Sequence, residues 1–319
     1  AAGSLNTDGF KNTFIGQAAG LSNTTADNNT FIGTTAGVFN TTGGNNTFIG
    51  QGAGDANTTA NDNTFMGKDA GGATSTGSEN TFIGMSAGIN NTVGQENTFI
   101  GQGTGRDNTT GDFNTFLGAE AGRESNGTNN TFIGTWAGLD NTTGHHNTFI
   151  GKSARVNNIA GESNIFIGFA SALANQTGSS NVCIGGNFST VGIDSSICLG
   201  NLTICNASNK VRLGNNLIKV IEGQVAYSFP SDGRFKFNVA EKVPGLEFIQ
   251  RLRPVTYQFD LAKYNQHIQP EGWEARFESD ELNKMREEGI QRSEIIHTGF
   301  IAQEVEQIFP EFINEREDG

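Results

Sequence analysis

The segment Ser231-Asp232-Gly233-Arg234-Phe235-Lys236 places a hydroxyl and an amine five residues apart, directly after Pro230. A serine hydroxyl is a weak nucleophile unless a neighbouring base removes its proton. A lysine is such a base when burial draws its pKa toward neutrality. Together they could open the peptide bond on the N-terminal side of the serine, Pro230–Ser231. The spacing by itself equally describes an exposed turn, with Lys236 in a solvated strand.

The other chemistry-bearing residues offer less. Three cysteines, Cys183, Cys198 and Cys205, are too few for a disulfide scaffold. Cys183 and Cys198 read as small buried apolar residues; a disulfide between them is the alternative and depends on Cβ geometry. Cys205 carries no signal. No metal site and no cofactor are expected, and His145-His146 reads as a solvated turn.

The elements that must carry these residues are set by a repeat. Thr-Phe-Ile-Gly returns every 17 residues, with Phe at Phe14, Phe31, Phe48, Phe65, Phe82, Phe99 and Phe116. One 16-residue step then leads to Phe132, Phe149 and Phe166, and Cys183 and Cys198 hold the same place in the last two units. A constant short period means one unit stacked on copies of itself, so a solenoid or roll is expected over residues 1–205. Ala1-Ala2-Gly3 is in phase with Ala18-Ala19-Gly20, so the array is read as starting inside a repeat.

Each unit holds a short strand closed by glycine, Thr30-Phe31-Ile32-Gly33 for instance, and 17 residues suffice for a coil of two short strands and two turns. Alternate side chains of a strand face opposite ways, so Thr30 and Ile32 share one face and Phe31 takes the other. One coil is too narrow to bury large residues on both sides. The expectation is that Thr and Ile line the coil interior and that the ladder Phe14 to Phe166 lines an axis between chains; the alternative puts Phe inside. About twelve coils at about 4.8 Å each make a rod of about 55–60 Å, and each buried Phe contributes about 1.5–3 kcal/mol. Gly33 and Gly50 permit positive φ at the strand end. Segments such as Asn40-Thr41-Thr42-Gly43 read as turns, with Asn bonding local backbone and stacking into ladders. The many Asn-x-Thr triplets follow from the repeat and are read as structural. Asp recurs at no fixed phase, which argues against a calcium-binding roll. Varying turns argue against an ice-binding surface.

Composition divides the chain near residues 220–230. All five prolines lie after residue 229, whereas most of the 44 glycines lie before it. The first 220 residues carry 14 acidic and 9 basic side chains, the remaining 99 carry 19 and 11. A net charge of −13 argues against a nucleic-acid partner, which needs a concentrated basic surface. No run of 18 apolar residues exists, so no membrane insertion is expected. Residues 206–229 read as connecting strands, 230–319 as a second domain, with helices over 246–252 and 277–294.

Three blocks of that second domain form an ordered set. They are Ser231-Asp232-Gly233-Arg234-Phe235-Lys236, Leu252-Arg253-Pro254-Val255-Thr256-Tyr257-Gln258-Phe259, and His297-Thr298-Gly299-Phe300-Ile301-Ala302-Gln303-Glu304-Val305, followed by Phe309-Pro310-Glu311. This set resembles the endosialidase-type intramolecular chaperone domain at the C-terminus of phage tail spikes and fibres. The resemblance implies a homotrimer, assistance in assembling the preceding fibre, and self-cleavage by a Ser–Lys dyad. Ser231 and Lys236 match the family's nucleophile and base. Asp232 and Arg234 match its motif and are expected to pair structurally around the site. The family continues into a bundling helix beyond the last block, so this domain reads as truncated. Asn-Thr-Phe-Ile-Gly is loosely similar to the unit of trimeric autotransporter adhesin heads, which are left-handed parallel β-rolls in threes.

The resulting expectation is a mainly β, left-handed, trimeric β-roll followed by a small α+β chaperone domain. It would serve as a phage-type tail fibre or bacterial surface appendage, extracellular or on a virion or injection system. The alternative is an adhesin whose roll binds a cell-surface receptor or glycan, with the C-terminal domain a cap. Any enzymatic activity would be a single self-cleavage, since the array offers no recurring acid pair or cleft for turnover.

Overall fold

The computed structural model describes residues 1–155, 158–172, 176–188, 192–218, 221, 246–260, 263, 287, 290 and 293–308. The chain separates into two compact units, 1–214 and 215–319.

The first unit is a parallel β-solenoid. Thirteen short strands, from Thr13–Ile15 to Val211–Leu213, form one sheet in chain order. Equivalent residues lie side by side: Thr30 pairs with Thr47, Phe31 with Phe48 and Ile32 with Ile49. The 16-residue step leaves this register intact, with Phe116 opposite Phe132. The shortened turn Ser125-Asn126-Gly127 absorbs the missing residue, and Asn114 Nδ2 still reaches the Gly127 carbonyl at 2.8 Å.

Two expectations about the coil are corrected. Each regular coil carries one three-residue strand rather than two, the rest being turns. Among the described residues of the solenoid, a second, two-stranded sheet forms where Asn187–Phe188 pairs with Ile204–Cys205. The turns need no strand pairing because they bond from coil to coil, as in Gly37 N–H to the Ala53 carbonyl at 2.9 Å.

The second correction concerns which way the strand faces. The ladder Phe31, Phe48, Phe65, Phe82, Phe99, Phe116, Phe132, Phe149 and Phe166 is wholly buried inside a single chain. Phe14, on the first coil, is half-buried, its ring 5.3 Å from that of Phe31. The rings therefore fill the coil, and Thr and Ile face outward, the reverse of the expected arrangement. The physical reason is the opposite wall. Ala36 is fully buried across from Phe31, and a Cβ added to Gly37 would lie 2.6 Å from its ring. The same Ala-Gly pair follows nearly every ladder Phe, leaving a cross-section one aromatic ring wide.

Glycine also closes each strand. Gly33 has φ +140°, and a Cβ there would meet the Gly50 carbonyl oxygen at 2.3 Å. Only a bare backbone lets successive coils approach this closely.

Two columns of asparagine complete the interior. Asn29 Oδ1 accepts the Asn46 amide at 2.9 Å, while Asn29 Nδ2 donates to the Gly43 carbonyl at 2.9 Å. In the second column, Asn57 Nδ2 donates to Asn40 Oδ1 at 2.6 Å, and Asn40 Nδ2 donates to Gly43 O at 2.9 Å. These amides are buried, and buried polar groups must be paired to avoid a desolvation cost. The column position thus explains Asn at a buried site, and the expected turn bond is part of it.

In the second unit, helix Leu246–Arg251 lies close to where the sequence places one. Strand Val255–Gln258 runs antiparallel to Ile296–Gly299, with Thr256 opposite Thr298 and Tyr257 opposite His297. Helix Ala302–Ile308 follows. Within 277–294, Glu287, Ile290 and Ser293 are helical; the other residues of that expected helix, apart from Glu294, lie outside the described residues.

Candidate functional site

Ser231, Asp232, Arg234 and Lys236 lie outside the described residues, as do Pro230 and the block Phe309-Pro310-Glu311. What the structure does describe is how the two central blocks of the second unit meet. The strand of Leu252–Phe259 and the strand of His297–Val305 are hydrogen-bonded partners. Tyr257 and His297 stack across that pair, ring centroids 5.5 Å apart. Arg253, just before the first strand, forms a two-pronged ion pair with Glu304 in the helix after the second, its Nε 3.1 Å from Glu304 Oε2. This hydrogen bond holds the Glu304 carboxyl below its ordinary range and raises the Arg253 guanidinium. Segments 36 or more residues apart in sequence are thereby tied together, as Gln258 Nε2 to the Glu294 carbonyl at 3.2 Å also shows.

The solenoid gathers the three cysteines. Cys183 and Cys198 occupy the ladder position in neighbouring strands, and Cys205 is buried beside them. All three thiols are free. Hydrogen bonding with the Cys198 thiol, together with burial, holds Cys183 and Cys205 strongly toward the protonated form. Protonated, buried thiols are poor nucleophiles, so this cluster is core. Cys205 had no sequence signal because it lies off the repeat phase.

His145 Nδ1 accepts the Thr128 amide at 2.9 Å, and His146 Nε2 lies 3.5 Å from Asn129 Nδ2. Both imidazoles thus take part in turn-to-turn bonding. No group of three or more His, Cys, Asp or Glu able to hold a metal occurs among the described residues.

One buried charge was not singled out by sequence. Arg155 stands where other coils have the glycine facing the ring, at φ +53°. Its side chain is fully buried, donating to the Ala172 carbonyl at 3.0 Å and to Asn158 Oδ1 at 2.8 Å. Its Nε has no partner. Burial pulls the guanidinium down to about 9, so it remains a cation at neutral pH. The neighbouring Phe149–Phe166 step opens to 5.2 Å, against 4.8 Å for Phe132–Phe149. The signal for it was a break in phase: Arg where the repeat supplies Gly.

The surface left outward by the ladder is the Thr/Ile face. Ile15, Met66, Leu117 and Ile184 are 57%, 41%, 44% and 42% exposed. None of the described helices is long and apolar enough to cross a membrane.

Comparison with curated proteins finds no match. Residues 231–314, beginning at Ser231 and spanning all three sequence blocks, match the family model for the chaperone of endosialidase.

Proposed function

We propose that this chain is a homotrimeric fibre protein of a phage tail or bacterial surface appendage. Its C-terminal domain assists assembly of the solenoid and then cuts itself free. The carrying observation is the chaperone-of-endosialidase match over residues 231–314, placed directly after a repetitive solenoid. A stack of coils forms by local steps, yet several copies must be aligned in register before they associate. A domain that gathers the chains at one end supplies that alignment.

In the cleavage step, Lys236 takes the proton of the Ser231 hydroxyl, whose oxygen attacks the Pro230 carbonyl. The peptide C–N bond breaks and an ester to Ser231 forms, with the proton passing to the freed Ser231 amine. Water then hydrolyses the ester, leaving Pro230 with a carboxylate. Asp232 and Arg234 pair structurally around the site. The product, residues 1–230, is exposed extracellularly or on a virion, where its excess of acidic over basic side chains keeps fibres apart.

The test is a denaturing gel of the full chain with N-terminal sequencing of the smaller band. A fragment beginning at Ser231, absent in Ser231→Ala and Lys236→Ala, supports self-cleavage; one identical band for all three overturns it. Light scattering on the same samples reads the trimer.

A further inference from the structure

The face left outward by the buried ladder carries no charge and one continuous apolar column along its length. The thirteen strands present two outward columns, the Thr30 and Ile32 positions of each coil. These positions hold only Thr, Ile, Met, Leu and Val, with no charged residue, in a chain of net charge −13. None of them is buried. By contrast, Asp62, Glu79 and Glu96 recur at one turn position, three residues before the ladder Phe.

The columns also change along the sheet. From Thr13 to Thr148 the first column is Thr, but its last four members are Ile165, Val182, Ile197 and Val211. Ile165, Ile184 and Val211 are 41%, 42% and 63% exposed. The strip thus becomes wholly aliphatic toward the end nearest in sequence to the chaperone domain.

We propose that this Thr/Ile face is the contact between copies of this chain, three sheets facing one another around a common axis. The inference rests on the homotrimer reading above. Two arguments select another copy over a foreign partner. A strip about 10 Å wide and about 58 Å long, on the order of 600 Å², reaches the upper edge of what monomers expose and approaches the standard interface. Its ridges also recur at the strand spacing along its full length, and a second copy has the same pitch at every step. Fixed spacing lets identical faces interlock at each rung, while an irregular partner would meet it at only a few.

The experiment uses the full chain carrying Thr98→Cys on the face, or Thr59→Cys on an exposed turn outside the sheet. The native thiols are buried and stay unreactive. A short bis-maleimide is added and bands are read on a denaturing gel. Two- and three-chain bands are expected with Thr98→Cys and none with Thr59→Cys. Adding Ile165→Glu and Ile197→Glu to Thr98→Cys cuts those bands about tenfold, since like charges facing across an interface repel. Circular dichroism verifies that the solenoid persists. A wild type that sizes as a trimer, with no cross-linking at Thr98, overturns this assignment and leaves the trimer standing. A monomeric wild type overturns the trimer itself.

Discussion

The Phe31 ring stacks on the Phe48 ring within one chain, centroids 4.7 Å apart and planes 5° from parallel. The same relationship recurs up the ladder, as between Phe82 and Phe99 at 4.8 Å and 8°. A ring removed from mid-ladder loses two stacking partners and leaves a cavity that rigid coils cannot close. Phe82→Ala is therefore expected to cost about 3–5 kcal/mol, and Phe82→Leu distinctly less. Thermal melts followed by circular dichroism check the ranking; equal melting temperatures for wild type and Phe82→Ala would contradict an interior ladder.

The asparagine columns predict a different ordering. Asn97 Oδ1 accepts the Asn114 amide at 2.9 Å and Asn97 Nδ2 donates to the Gly111 carbonyl at 2.8 Å. Asn97→Ala leaves both groups buried and unpaired, at about 1–3 kcal/mol each. Asn97→Ser is expected to be milder, because Ser196 fills the same column place, accepting the Lys210 amide at 3.2 Å and donating to the Ala207 carbonyl at 3.0 Å. Urea midpoints for the two variants provide the comparison.

Arg155 is expected to be a net cost. Arg155→Gly restores the residue that other coils use at this positive-φ site and removes a buried cation with no carboxylate partner. The variant should be more stable by about 1–2 kcal/mol at neutral pH. The pH dependence has a definite sign. The folded chain releases the guanidinium proton at about 9, well below where an unburied arginine in the unfolded chain does. Below 9 both states hold the proton and the cost is constant; above it the unfolded state binds more, so wild-type stability rises with pH. Melting temperatures of wild type and Arg155→Gly should converge above pH 9.

The Arg253–Glu304 pair makes the opposite prediction. The Glu304 carboxyl is held below its ordinary 4.5 by the Arg253 hydrogen bond. Its contribution is present above 4.5 and is lost as pH falls through the lowered folded value. Both groups are exposed, so the effect of Glu304→Gln is small and shrinks in high salt. Hydrogen exchange of the Val255–Gln258 strand, in wild type and variant at neutral and acid pH, reads it: faster exchange in the variant at neutral pH only.

Much of the molecule was legible from residue order. The strands sit on Thr-Phe-Ile because β-branched and aromatic residues end there at a glycine, and Gly33 at φ +140° explains the stop. The turn bond of Asn40 to Gly43 followed from the same reasoning. Extra strands were expected where none formed, since coil-to-coil bonding satisfies turn backbones equally well. Cys205 and Arg155 were missed because both fall outside the repeating pattern. The dyad of Ser231 and Lys236 remains a reading of motif and family match.

Sequence by itself determined the period, the strand position, the parallel register and the two-sidedness of Thr-Phe-Ile. It could not decide which side is inside, because alternation in a strand is symmetric: reversing the strand exchanges its faces without changing the pattern. The tertiary structure made that choice through the opposite wall. Ala36 and Gly37 leave space for one flat ring per layer, so Phe31 enters the coil and Ile32 is turned outward.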